Sequence, residues 1–113
     1  MTKRRTVLVE FPYDDLSDSK LRPAYCLTDP VGDNRHVIFA LITSRIPMQL
    51  LETDVVLDAA HPDFVTSGLR MPSTLRLNHL ITLRRSMIQR QLGELSPETH
   101  RQLVEKLRSL LNG

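Results

Sequence analysis

Apolar residues follow a β-strand pattern along most of this chain and take up a helical spacing only at its end. TVLVEF (6–11) is β-branched and apolar and is closed by Pro12, which reads as a strand. A polar, turn-rich stretch over Tyr13–Leu21 separates it from a second strand, PAYCLT (23–28), which ends at the turn cluster DPVGDN (29–34). HVIFALI (36–42) is almost continuously apolar, as expected of a central strand buried on both faces. TDVVL (53–57), STLRL (73–77) and HLITL (79–83) complete six short strands. Gly32 and Gly68 read as turn glycines.

The C-terminal segment differs. Ser96-Pro97-Glu98 has the chemistry of a helix start: a capping hydroxyl, a proline at the first helical position and an acid near the positive end of the dipole. Leu103, Val104, Leu107, Leu110 and Leu111 then share one helical face, which is expected to pack on the sheet. Six short strands can remove their exposed edges by closing into a small barrel. The fold expected is therefore mainly β, a small barrel with a C-terminal helix, as one domain over residues 1–113.

Composition narrows the class. The 113 residues are 41% hydrophobic and contain no Trp, so the core must rest on Leu, Val and Ile, with a margin that dimerisation would widen. A lone cysteine, Cys26, excludes an internal disulfide and suits a reducing compartment. Glu10 and Pro12 interrupt the N-terminal apolar run too soon for a signal peptide, and no run nears the ~18 apolar residues of a membrane span. A cytoplasmic protein is the expectation. The histidines and Cys26 show no metal-ligand spacing, so neither metal nor cofactor is expected.

Charge is uneven. Residues 1–63 carry ten acids and seven bases, whereas residues 64–113 carry three acids and eight bases. No acid occurs between Phe64 and Gly93, a stretch holding Arg70, Arg76, Arg84, Arg85 and Arg90. Arginine in excess suggests a phosphate-bearing partner.

Three segments together resemble the MazF/PemK/Kid toxin family. TVLVEFPYDDLSDSKLRPAYCLTD is similar to its opening strand, polar loop and Arg-Pro strand. HVIFALITSRI resembles its next strand, which ends in a Thr-Ser or similar pair, and GLRMPSTLRLNHLITL its later Pro-Ser-x-x-Arg strand pair. The closing LGELSPETHRQLVEKLRSLL also fits, and the likeness runs through nearly the whole chain in order. It implies an SH3-like β-barrel with an added C-terminal helix, usually a homodimer. It implies a metal-independent, sequence-specific endoribonuclease of single-stranded RNA, the toxin of a type II toxin–antitoxin system. It also implies a cognate antitoxin whose disordered tail covers the RNA site.

On this resemblance Arg22 and Thr43 are the catalytic residues. Attack of the 2′-hydroxyl on the adjacent phosphorus builds a crowded, doubly charged phosphorane, giving a 2′,3′-cyclic phosphate and a 5′-hydroxyl. The planar guanidinium of Arg22 can donate two parallel hydrogen bonds to phosphate oxygens, and Pro23 biases its backbone toward extended geometry. Thr43, at the end of the buried strand, would donate to the scissile phosphate; Ser44 is its weaker neighbour. Arg76 matches an arginine that some relatives use near that phosphate, here in an electrostatic role because a guanidinium is a poor proton donor. Asp18 or Asp14 could accept the 2′-hydroxyl proton, and His79 could transfer a proton. Lys20, Arg70, Arg76, Arg84 and Arg85 are the candidate RNA-binding cations. Asn78, where relatives often have Asp, and Ile81, where an Arg is common, depart from the pattern. They keep open a member that binds RNA or antitoxin without cutting. A third reading is a toxin of the same barrel class that contacts DNA gyrase through the end of its helix.

Overall fold

The computed structural model describes residues 1–11 and 20–113. The strands are β1 (Arg5–Phe11), β2 (Lys20–Cys26), β3 (His36–Thr43) and β4 (Asp54–Leu57), then β5 (Ser73–Arg84) and β6 (Ile88–Glu94). A short helix, α1 (Phe64–Ser67), precedes β5; a single 3-10 turn, Arg85–Met87, joins β5 to β6; and α2 (Pro97–Asn112) ends the chain. All the strands form one antiparallel sheet in the order β4-β5-β3-β2-β1-β6.

The fold is mainly β with a C-terminal helix, and it differs from the expectation in three places. The segments 73–77 and 79–83 are one strand. β5 keeps its pairing with β3 through Leu41↔Arg76, then resumes at Ala40↔Leu80, so Leu77, Asn78 and His79 form a bulge. β6 is an added edge strand whose sequence, IQRQLGE, carries too little alternation to announce itself; it pairs with β1 across two register shifts. The ladder also stays open. Among the described residues β4 and β6 lie at opposite edges and do not pair.

Strand alternation sorts the core into two clusters. Tyr25, Leu27, Ala40, Ile42, Leu57, Leu75 and Leu77 lie together under Leu95 and the α2 residue Leu103. Val7, Val9, Ala24, Cys26, Val37 and Phe39 form the second, with Leu41, Ile81, Leu83 and Ile88 against it. β3 thus contributes to both clusters, as its unbroken apolar run predicts. Ile81 takes a half-buried apolar place against the second cluster.

Helix α2 starts as its sequence demands. The Ser96 hydroxyl accepts the Thr99 N–H at 3.1 Å, and the buried Asp63 carboxylate accepts the Ser96 N–H at 2.9 Å. Its apolar stripe is only partly used. Leu103 is buried and Leu107 half-buried, whereas Leu110 and Leu111, in the last turn, stand exposed. His100 reaches back to the sheet, with Nδ1 2.7 Å from the buried Tyr25 hydroxyl. Gly68 caps α1 in left-handed geometry (φ 72°), and a Cβ there would strike the Leu92 carbonyl. A Cβ on Gly93 would likewise strike the carbonyls of Thr66 and Ser67, so the two glycines let α1 and β6 meet backbone to backbone. No helix among the described residues is long and apolar enough to cross a membrane.

Candidate active site

The register of the sheet brings residues from distant parts of the chain level with one another. In β1–β2, Val9 opposes Arg22; in β3–β5, Thr43 opposes Thr74; in β4–β5, Val56 opposes Thr74. β2 and β3 pair from Cys26↔Phe39 to Ala24↔Leu41, and Arg22 and Thr43 each stand two residues past that last pair. Arg22 shares the strand face of Ala24, and Thr43 that of Leu41, so both stand on the face of the second apolar cluster, at one end of the sheet. Pairing of β2 with β3 reaches no further than Ala24. Pro23, which has no N–H to give, is the next residue, and the strands part where Arg22 and Thr43 stand.

Each side chain there has a chemical disposition. Arg22 is exposed. Thr43 is half-buried, and its Oγ1 accepts the Arg45 N–H at 3.2 Å, which leaves its own O–H proton available to donate. Ser44 is exposed beside it. Thr74, opposite Thr43, is fully buried, and among the described residues its hydroxyl has no hydrogen-bond partner.

The next row along the face holds Ala24, Leu41, Arg76 and Asp54. Arg76 Nε donates to Asp54 Oδ1 at 3.0 Å, and Nη2 lies 3.5 Å from Oδ2. The Asp54 side chain is 0% exposed and that of Arg76 23%, so a buried carboxylate grips one edge of a guanidinium that still reaches water. Two of the five guanidinium donors are engaged in this way. Asp54 Oδ2 also accepts the Leu51 N–H at 2.9 Å, tying the β3–β4 loop to the same carboxylate. Asp54 and Thr74 are the site neighbours that sequence reading missed. An acid at the start of an apolar strand was the available signal, since a buried charge requires a partner.

Other candidates are placed differently. Asp14, Asp15 and Asp18 lie outside the described residues, and Lys20 is placed only as the first residue of β2. His79 and Asn78 are exposed in the β5 bulge, near the Arg76 row. Arg70 is exposed in the loop before β5. Arg84 and Arg85 are at the other end of the sheet: His36↔Arg84 is the first pair of the β3–β5 ladder and Thr43↔Thr74 the last. Seven strand steps separate them, about 23 Å. Burial pushes the Cys26 thiol up to about 12, against the pull of Arg5 and Arg85, which makes it a packing residue and not a nucleophile. Among the described residues no group of three His, Cys, Asp or Glu side chains gathers to hold a metal ion.

The whole constellation sits in a chain whose residues 3–111 match the model of the PemK-like, MazF-like toxins of type II toxin–antitoxin systems. The chain belongs to this family. Solved structures with the same fold include the Mycobacterium tuberculosis toxin MazF-mt6, at 23% identity and a TM-score of 0.72 over 96% of this chain and 97% of that one. A mycobacterial endoribonuclease in complex with its cognate antitoxin aligns at 15% identity and a TM-score of 0.66, over 99% of this chain and 95% of that one. MazF from Deinococcus radiodurans aligns at 21% identity and a TM-score of 0.67, over 100% and 97%. No curated protein matches the chain in sequence. Family membership makes this a MazF/PemK-type toxin, of a kind whose structural neighbours include endoribonucleases.

Proposed function

We propose that this MazF/PemK-type toxin is a sequence-specific endoribonuclease that cuts single-stranded RNA by attack of a 2′-hydroxyl on the adjacent phosphorus, without a metal ion. Arg22 donates to the non-bridging oxygens as charge grows in the phosphorane, where one well-aimed donor is worth ~3–4 kcal/mol. Thr43 gives its hydroxyl proton to the same phosphate as a hydrogen bond. Arg76, held by Asp54, adds positive charge from the adjacent row. Asp18 and His79 are the candidates for moving protons on and off the 2′- and 5′-oxygens. The chain acts as a single domain, as a homodimer in the cytoplasm, and a cognate antitoxin restrains it by laying a disordered tail over the RNA site.

The observation that carries this reading is the register. Arg22 and Thr43, chosen from separate stretches of sequence, each lie two residues past the last β2–β3 pair, Ala24↔Leu41, and share the strand faces of that pair. Arg22→Ala tests it. The variant should keep the wild-type melting temperature and lose about two to three orders of magnitude in cleavage rate. A folded Arg22→Ala protein that cuts RNA at the wild-type rate would remove Arg22 from the mechanism.

A second reading draws on Leu110 and Leu111, left exposed at the end of α2, the helix end through which a gyrase-directed toxin would make its contact. Inhibition of gyrase supercoiling by a protein that leaves RNA intact would favour it.

A further inference from the structure

The end of the sheet away from Arg22 and Thr43 carries a second concentration of positive charge. Two adjoining clefts, of about 330 and 310 Å3, meet at Arg85 and Ser86. Arg5 and Arg90 line the first together with Arg85, and Arg35 and Arg84 line the second. Among the described residues Asp33 is the one carboxylate lining either cleft, and no ion pair includes any of the five arginines. Five like charges around one surface repel one another, and a polyanion relieves that repulsion.

Backbone geometry points the same way. Arg35 has φ 55°, a left-handed conformation that suits glycine or asparagine and costs an arginine. Asn34 stands next to it, yet the charged residue occupies the strained place. The Arg35 carbonyl accepts the Arg85 N–H at 2.9 Å, and the Arg85 Nε donates to the buried Thr2 hydroxyl at 3.2 Å, so the cluster is pinned from two sides.

From these observations we infer a second, sequence-independent site for the sugar–phosphate backbone of single-stranded RNA, built on Arg5, Arg35, Arg84, Arg85 and Arg90. The identity of its ligand rests on the ribonuclease reading; the presence of a polyanion site does not. Guanidinium forks match phosphate oxygens, and about 23 Å between the two ends of the β3–β5 ladder lies within the span of a strand several nucleotides long. RNA cut at the Arg22 end would be held by its flank at the arginine end, so that flanking length raises affinity without changing the bases read.

The test is a salt titration of binding to a 2′-O-methyl RNA of about 20 nucleotides, which has no 2′-hydroxyl to attack. Arg35→Gln/Arg90→Gln is compared with Arg101→Gln/Arg108→Gln on α2, which loses the same charge elsewhere. The slope of log affinity against log salt should become shallower by about 1.4 in the first double variant, for two lost contacts at ~0.7 each, and stay at the wild-type value in the second. If the strained position makes the first variant unstable, Arg84→Gln/Arg90→Gln repeats the comparison without touching it. A wild-type slope in the cleft variants, or an equal loss in the α2 variant, overturns the site. A companion cleavage assay on unmodified RNA keeps the two readings apart. A wild-type protein that binds with this arginine-dependent slope and cuts nothing contradicts the nuclease, not the second site.

Discussion

Asp54 offers the sharpest test of how the site is built. Its carboxylate is fully buried, accepts two hydrogen bonds from Arg76 and one from the Leu51 N–H, and supplies the negative charge for that arginine. Removing one member of a buried ion pair costs ~3–5 kcal/mol when the other is left uncompensated. Arg76 keeps 23% exposure, so water takes up part of its charge and the ion-pair loss falls below that range. The stranded Leu51 N–H adds ~1 kcal/mol. Asp54→Ala should therefore lose about 3 kcal/mol, which for a domain of this size lowers the melting temperature by roughly 12 °C. Asp54→Asn, which keeps an acceptor and loses the charge, should lose about half as much. The pair Asp54→Leu/Arg76→Met, in which neither charge is stranded, should cost less than Asp54→Ala alone. Urea unfolding of the four proteins measures the free-energy losses, with unchanged m-values as the check that the unfolding transition is the same, and a thermal melt measures the shift in melting temperature. An Asp54→Ala protein destabilised by less than about 1 kcal/mol would show that the pair does not hold this corner of the sheet, and the account of Arg76 as a fixed cation would go with it.

Three further outcomes follow from the packing and the charges. Gly93→Ala drives a methyl into the Thr66 and Ser67 carbonyls and should cost about 3 kcal/mol, at the upper end for overpacking, in thermal or urea melts; a wild-type melt would mean that α1 and β6 are not in backbone contact. Burial, with help from Lys3 and Arg4, holds the His100 imidazole below its ordinary value. The unfolded chain therefore binds the proton first, stability is full above about pH 6.5, and it declines as pH falls through the lower folded value; His100→Gln should flatten that part of the stability-against-pH curve. Asp63 is pushed up by burial but held lower overall by hydrogen bonds from Thr99 and Ser96, so a second loss should appear below about pH 4, where the unfolded carboxylate takes up its proton, and Asp63→Asn should diminish it.

Much of this architecture was legible in the sequence because the signals were local. The apolar run 36–42 became β3, and Ser96-Pro97 became the start of α2. What sequence reading missed depends on neighbours. Asn78-His79 looked like the junction of two strands, but β3 pairs on both sides of it, which makes it a bulge within β5. β6 needed β1 beside it, since Gln89, Arg90 and Gln91 face solvent and give no apolar rhythm. Leu110 and Leu111 carry the helical period past the end of the surface that α2 covers. Arg22 and Thr43 could be named from the resemblance, whereas Asp54 could not, because its role exists only once β4 lies against β5. The arginines between 70 and 90 appeared as a single stretch, and the fold sends them to opposite ends of the sheet.

Incubation of purified, antitoxin-free protein with a long single-stranded RNA in excess chelator, followed by mapping of the new ends, tests the central claim most directly. The account predicts cuts at one repeated short word, each leaving a 5′-hydroxyl, and the same cuts formed about two to three orders of magnitude more slowly by Arg22→Ala. Intact RNA after incubation with folded wild-type protein, or cleavage that stops when metal is removed, would contradict it.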